Sequence, residues 1–317
     1  MKIGIYGYGN LGRGAESAAA RCGDEVVGIF SKRDVTSALG NKVYPAGAAE
    51  EFCGKIDVMI VCGGSAKDLP EMTPRLARTF SLVDSFDTHG KTAEHIAKTD
   101  AAAREAGTLA LVSAGWDPGL FSLARLYFSA VLPDGDTYTF WGRGVSEGHS
   151  DAIRRIEGVD DAVEFTVPAK FAADAVDRGV RRHFAPGEMH SRECFVALSE
   201  GADADGVERA IVTMPEYFAP YDTTVNFVTR GEVAALRGAL PHAGRVVRLG
   251  RTGERETFCH KAELSLSLGS NPGFTGGVLL ACARAVYRMR KRGASGCVTL
   301  FDVAPRDLFP GDPSALI

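Results

Sequence analysis

Lys2-Ile3-Gly4-Ile5-Tyr6-Gly7-Tyr8-Gly9-Asn10-Leu11-Gly12 is the stretch that decides the fold. A short, mostly apolar strand runs into a GxGxxG turn, and small and apolar residues at helical spacing follow over 10–21. Gly7 permits the tight turn, Gly9 lets backbone approach a pyrophosphate, and Gly12 lets the helix pack on the strand. The helix N-terminus adds N–H donors and a partial positive charge. Alone the pattern is weak; between a strand and a helix, inside a βαβ unit, it is a strong dinucleotide signal. A glycine-rich turn without a ligand is the bland alternative.

Outward from this turn, strand and helix alternate. Runs at 25–30, 57–62, 81–84 and 109–113 read as strands, with helices at 70–80 and 92–106. The run DVMIVC at 57–62 is continuously apolar, as a strand covered on both faces should be. The alternation predicts an α/β fold, a Rossmann-type doubly wound parallel sheet with ligands at the strand carboxyl ends. Past about residue 117 the pattern changes to strands at 137–141, 163–167, 192–199, 221–229, 245–249 and 256–268. In the last of these, Phe258, His260, Ala262, Leu264, Leu266 and Leu268 alternate with polar neighbours, the mark of a sheet covered on one face. The expected organisation is a dinucleotide-binding domain over 1–117 and an α+β substrate and dimerisation domain with an open mixed sheet over 118–271. A helix at 275–292 and a short strand near 297–303 end the chain, and 272–317 is a candidate to pack back on the first domain.

The 317 residues suit two domains, each able to bury a core. With 36 Lys+Arg against 40 Asp+Glu, a net charge of −4 and no basic tail, the chain offers little grip on nucleic acid. No apolar stretch approaches the roughly 18–20 residues of a membrane span, and a strand at the very start is expected to leave no room for a signal peptide. The seven cysteines (Cys22, Cys53, Cys62, Cys194, Cys259, Cys282 and Cys297) form no CxxC pair. Free thiols of a reducing compartment are expected, with no metal site, and hence a cytoplasmic protein.

The dinucleotide is read at the end of the second strand. An NAD site usually has an acidic residue there; here Phe30 is followed by Ser31-Lys32-Arg33, a hydroxyl and two cations suited to a 2′-phosphate. NADP is the expected cofactor, a solvated basic loop the alternative. Three further segments carry chemistry at or beyond strand ends: VDSFDTH at 83–89, with Asp84 and Asp87; AGWDPG at 114–119, with Trp116 and Asp117; and the glycine-rich FWGRGVSEGHSDA at 140–152. Each has a structural alternative. Asp117 before Pro118 reads as an N-cap with proline at N1, Ser150 or His149 as a helix start, and Trp141 as core. Arg192 is different, because it shares a strand face with Cys194, Val196 and Leu198. A guanidinium in an apolar row snorkels at a sheet edge or has a carboxylate partner, from protein or ligand.

Taken together, these segments resemble the meso-diaminopimelate dehydrogenases, NADP-dependent amino-acid dehydrogenases that give bacteria a short route to lysine. The resemblance is carried by GYGNLGR at 7–13, FSKR at 30–33, CGGSAKDLP at 62–70, VDSFDTH at 83–89 and LVSAGWDPG at 111–119. It continues through FWGRGVSEGHSDAIRRI at 140–156, RECFV at 192–196, TMPEYF at 213–218, PHAG at 241–244 and NPGFT at 271–275. The WDPG and GHSDAIRRI blocks are far more specific than any GxGxxG.

The resemblance implies that Gly7, Tyr8, Gly9, Asn10, Leu11, Gly12, Ser31, Lys32 and Arg33 hold NADP, and that Cys62, Gly64 and Ser65 line its channel. It places the reacting D-centre of a diaminopimelate near Asp84, Asp87, Trp116 and Asp117, with Asp87 or Asp117 handling the proton. The distal L-centre falls to Thr166, Arg192, His242 and Asn271, with Trp141, Ser146, Gly148 and His149 completing the pocket. Arg143 and Glu147 depart from the family's commoner proline and glutamine, and a negative charge at Glu147 stands beside a dicarboxylate ligand. The implied activity is reversible oxidative deamination of meso-diaminopimelate with release of ammonium, by a homodimer. The alternatives are a dehydrogenase of other D-amino acids and a non-catalytic NADP-sensing dimer.

Overall fold

The computed structural model describes residues 1–215 and 217–317, the side chains of His89 and Glu256 excepted, so Glu216 of the TMPEYF segment lies outside the described residues. Two compact units emerge, Met1–Leu123 with Pro272–Ile317, and Ala124–Asn271.

In the first unit, Lys2–Tyr6 (β1), Glu25–Ser31 (β2), Val43–Pro45 (β3), Val58–Val61 (β4), Leu82–Asp84 (β5) and Leu109–Leu111 (β6) form one sheet with Gly296–Val298 (β14), from the end of the chain. The order is β14-β6-β5-β4-β1-β2-β3, and every pairing is parallel. It reverses at β1, which has β2 on one side and β4 on the other, so the turn after β1 sits at the switch point where such sheets bind ligands. Alternation along each strand feeds two cores. Ile3 and Ile5 pack with Ala15, Ala18 and Ala19 of the helix Asn10–Cys22 and with Leu279 and Ala283 of the helix Asn271–Lys291. Tyr6, Met59 and Val61 pack instead with Leu69 and Leu76 of the helix Leu69–Ala77 and with Ala102 and Ala103 of the helix Thr92–Ala106. Helices on both faces complete the doubly wound architecture that the alternation predicts.

Two details of this sheet differ from expectation. β3 has three residues and ends at proline, too short to show an alternation; Tyr44 holds it by packing on Phe30 and Phe52, with ring centroids 5.9 and 4.7 Å apart. The final strand stops at Val298 because Thr299 caps a one-turn helix, Leu300–Asp302.

The second unit holds Gly135–Trp141 (β7), Gly144–Val145 (β8), Val159–Pro168 (β9), His190–Leu198 (β10), Asp222–Phe227 (β11), His242–Thr252 (β12) and Phe258–Leu268 (β13). They make two sheets, of which the first is the open mixed sheet expected. The first, β11-β10-β9-β8, is mixed, with β10 and β11 parallel; the second, β13-β12-β7, is antiparallel. The division falls at Gly142, whose φ of +118° and contact with the Thr166 carbonyl, where no Cβ fits, turn the chain from β7 into the other sheet. Along β13 the expected alternation holds from Ala262 to Leu268, while Phe258, Cys259 and His260 are all exposed.

Within the first unit the two helices over β1 touch through glycine. A Cβ on Gly276 would overlap the backbone of Gly14, and one on Gly14 would overlap the Pro272 carbonyl. Gly276→Val is therefore expected to lower unfolding stability by about 1–3 kcal/mol, through strain between two backbones that have nowhere to move. The urea midpoint measures it, and an unchanged midpoint would show that these helices part at no cost.

Candidate active site

The glycine-rich turn is built by close backbone approach. Gly7 has φ +93°, and a Cβ there would overlap the Cys62 carbonyl; one on Gly12 would overlap the Gly7 carbonyl. Gly7 donates its N–H to Phe30 O at 2.8 Å, and Cys62 donates to Tyr6 O at 2.7 Å, which pins the ends of β1, β2 and β4 together. Gly9 precedes the helix Asn10–Cys22 without a side-chain cap, which leaves the first-turn N–H groups of this helix open to an anion. Burial pushes the Cys62 thiol up to about 12, so it lines the turn as a neutral group.

The second-strand loop meets the same turn. Arg33 Nη2 lies 3.8 Å from the position a Cβ on Gly9 would take, Ser31 Oγ accepts from Arg33 N–H at 3.1 Å, and Lys32 and Arg33 are exposed. A cradle without side chains, bordered by two solvent-facing cations, fits the pyrophosphate and 2′-phosphate of NADP. The Tyr8 ring is 2% exposed, and its hydroxyl donates to Glu16 while accepting Ala38 N–H at 2.7 Å. Glu16 also takes Ser37 and Asn41 as donors, so the buried pair fastens the loop that follows Arg33 to the first helix. The edge of the Tyr8 ring lies 3.4 Å from the position a Cβ on Gly12 would take.

Asp84 and Asp87 part company. Asp84 has no exposed surface, and its carboxylate accepts from Thr73 Oγ1 at 2.7 Å, Phe86 N–H at 3.1 Å and Ser113 N–H at 2.9 Å, with His95 Nε2 at 2.6 Å. Those four partners exhaust its lone pairs and tie β5 to two helices and to the end of β6, which corrects the expectation that it meets an ammonium. Asp87 is exposed; its N–H donates to Ser65 Oγ at 2.8 Å, and Ser65 also takes Thr88 N–H at 3.1 Å. The Cys62-Gly63-Gly64-Ser65 turn and the Asp87 loop are thus one assembly, with Gly64 N–H held by Asp68 at 3.0 Å.

Asp117 is not a helix cap. It is extended, with φ −154° and ψ 111°, Gly119 has φ +131°, and the helix begins at Phe121. Trp116 is 7% exposed and packs edge-on against Phe121, with centroids 5.2 Å apart. Asp117 itself stays half-buried.

The second unit gathers the expected L-end residues. Arg192 and Thr166 are directly opposed in β10 and β9, Gly144 of β8 pairs with Thr166, and the His242 ring fills the space a Cβ on Gly144 would need. Asn271 N–H donates to Leu240 O at 2.9 Å, which sets it beside the start of β12. Arg192 is 6% exposed, stacks at 4.0 Å over Tyr221 and donates from Nη1 to Thr166 Oγ1; its Nε is buried without a partner among the described residues. Ser146, rather than Ser150 or His149, caps the helix Glu147–Ile153, and Gly148 is exposed in its first turn. Trp141 donates its N–H to His190 Nε2 at 2.9 Å, and the two rings lie 5.1 Å apart. The family departures are paired: Glu147 lies 3.5 Å from Arg154, and Arg143 lies 2.6 Å from Glu193.

Three groups here escaped the sequence reading, namely His190, Tyr221 and Glu164, a carboxylate with no exposure 3.7 Å from Arg192. The signal for Glu164 was present. Arg192 called for a carboxylate, and Glu164 stands two residues from Thr166, hence on its face.

A parallel doubly wound sheet with its glycine turn at the switch point, in a chain that also carries an α+β unit with a buried guanidinium, defines the class of two-unit α/β oxidoreductases. Residues 115–270 match the family model for the diaminopimelic acid dehydrogenase C-terminal domain. A meso-diaminopimelate D-dehydrogenase of Lysinibacillus sphaericus is 50% identical over 96% of this chain and 94% of its own. The structure of the C. glutamicum DAP dehydrogenase in complex with DAP superposes with a TM-score of 0.93 at 39% identity, over 100% of this chain and 98% of its own. An engineered D-amino acid dehydrogenase bound to NADP+ gives 0.90 at 38% identity, over 100% and 98%. The chain belongs to the meso-diaminopimelate D-dehydrogenase family and is an amino-acid dehydrogenase acting on a CH–NH2 group.

Burial, with the Arg192 charge adding to it, pushes the His190 imidazole down to about 4. An unfolded chain's imidazole titrates near 6.5, so between those values the unfolded state binds more protons. Stability is expected to fall as pH drops from about 6.5 to 4, by up to about 3 kcal/mol from this group. Asp177, held near 2 by Arg245 and Lys261 against its burial, acts only below that window. Urea midpoints between pH 7 and 4.5 should fall less in His190→Gln, which keeps an acceptor for Trp141; equal slopes would remove His190 from the linkage.

Proposed function

We propose that this chain catalyses reversible oxidative deamination at the D-centre of meso-2,6-diaminopimelate: with NADP+ and water it gives L-2-amino-6-oxopimelate, ammonium, NADPH and a proton. The observation that carries this reading is Arg192, a guanidinium 6% exposed whose Nε has no partner among the described residues. Such a group is matched to a ligand carboxylate, and Thr166, His242 and Asn271 stand around it as further polar contacts for the L-end.

Gly7, Gly9, Asn10, Leu11 and Gly12 would hold the cofactor's pyrophosphate and Ser31, Lys32 and Arg33 its 2′-phosphate, with Cys62, Gly64 and Ser65 along the channel. When bound, NADP+ supplies the hydride acceptor. The D-ammonium must lose a proton before the C–H bond breaks, and Asp87 or Asp117, neither of them buried, serves as the base or holds the water that does. Asp84 positions the loop around Asp87, and Trp116 and Trp141 wall the two ends. Catalysis rests on placement, and no nucleophile is needed. We further assign the protein to the cytoplasm and to a homodimer. All seven cysteines are free, no helix among the described residues is long and apolar enough to cross a membrane, and β13 presents a long sheet edge with Phe258 61% exposed.

Purified protein with NADP+ is expected to reduce it with the meso isomer and not with L,L-diaminopimelate; equal rates would overturn the stereochemical assignment. Arg192→Ala should raise the KM for diaminopimelate on the order of 100-fold and leave that for NADP+ unchanged. Parallel loss of both would assign Arg192 to folding alone.

A further inference from the structure

Glu164 has no surface exposure, yet it lies on the face of β9 that carries Ala162 and Thr166. An ionised carboxylate is costly there unless it is paired and hydrogen-bonded. Its two oxygens divide among the L-end residues. Oε1 accepts from Thr166 Oγ1 at 3.3 Å and lies 3.7 Å from Arg192 Nη1, while Oε2 lies 3.2 Å from His149 Nδ1. Its backbone is fixed as well, with Glu164 N–H donating to Ser150 Oγ at 2.9 Å and Ser146 N–H to Glu164 O at 3.1 Å.

The cluster sets one guanidinium beside one carboxylate. Burial pushes both His242 and His190 down, opposed at His242 by the Ala243 backbone hydrogen bond and, less, by the Glu164 charge. On the surface, Glu147 pairs with Arg154 and Arg143 with Glu193. Arg192 and Glu164 are left as one positive and one negative charge side by side. A receptor for a bare carboxylate needs only the first. A net-neutral dipole suits a ligand end that is itself a dipole, an α-amino acid terminus carrying both ammonium and carboxylate.

We propose that Glu164 is a specificity-determining positioning residue, whose buried charge makes the L-end cluster favour a zwitterionic amino-acid end over a plain carboxylate end. It acts through Arg192, Thr166 and His149, since the substrate has no path to its oxygens. The inference rests on the diaminopimelate reading of the site.

The test compares meso-diaminopimelate with D-2-aminopimelate, which has the same D-centre, length and distal carboxylate but no distal amine. The wild-type protein, Glu164→Gln and Glu164→Asp are assayed with saturating NADP+ at about pH 8.5, where free imidazole is neutral. Glu164→Gln is expected to shrink the kcat/KM ratio of the two substrates about tenfold. The change should lie in the KM for diaminopimelate, with the KM for NADP+ unmoved. Glu164→Asp, which keeps the charge, should retain most of the ratio. An unchanged ratio in Glu164→Gln, or an equal fall for both substrates in both variants, would overturn the proposal and leave Glu164 a folding group. A wild-type protein that turns over neither substrate would overturn the functional reading first, a result distinct from either.

Discussion

At the carboxyl end of β1, three stretches of backbone come so close that no side chain fits between them. Gly7 touches the Cys62 carbonyl, Gly12 touches the Gly7 carbonyl, and hydrogen bonds from Gly7 and Cys62 lock the ends of three strands. Strand order reverses at this point, so the crowding fixes both the sheet and its most open end. Farther along the same edge of the sheet the means change. Asp84 replaces glycine contact with a buried carboxylate that gathers Thr73, His95, Phe86 and Ser113. Missing side chains at β1 and one saturated side chain at β5 reach the same end, a rigid rim from which exposed groups such as Asp87 and Lys32 project.

The second unit solves a different problem, how to bury a guanidinium without neutralising its use. Tyr221 covers one face of Arg192, Thr166 takes one N–H, and Glu164 stands near enough to offset the charge but leaves Nε open. Direct bidentate pairing would have committed two of its five N–H donors to the protein. At 3.7 Å and through a shared threonine hydroxyl, the carboxylate stabilises the charge while donors remain.

Much of this was legible in the residues. The parallel sheet followed from continuous apolar strands between amphipathic helices, and the switch point followed from GxGxxG placed after the first of them. β3 and β8 were not legible, because three and two residues carry no period. The split of the mixed sheet depended on Gly142, whose demand for a positive φ appears only once Thr166 lies against it. At the site, types of residue were readable and commitments were not. Asp84 and Asp87 look alike in VDSFD, yet one is saturated and the other open. Asp117-Pro118 has the form of a helix start but is held extended by the turn through Gly119. Glu164 was hidden by its ordinary setting in an alternating strand.

The chain enters the first unit twice. One of its two edge strands, β14, and the long helix over β1 come from residues that follow the whole second unit. During synthesis from N- to C-terminus, the second unit therefore leaves the ribosome complete while the first still lacks one flank. Until the last segment emerges, Ile3, Ile5 and the alanine face of the helix Asn10–Cys22 lack the cover of Leu279 and Ala283, and β6 has an open edge. The earliest-made residues are the last to be finished, and that interval is when a chaperone has most to hold.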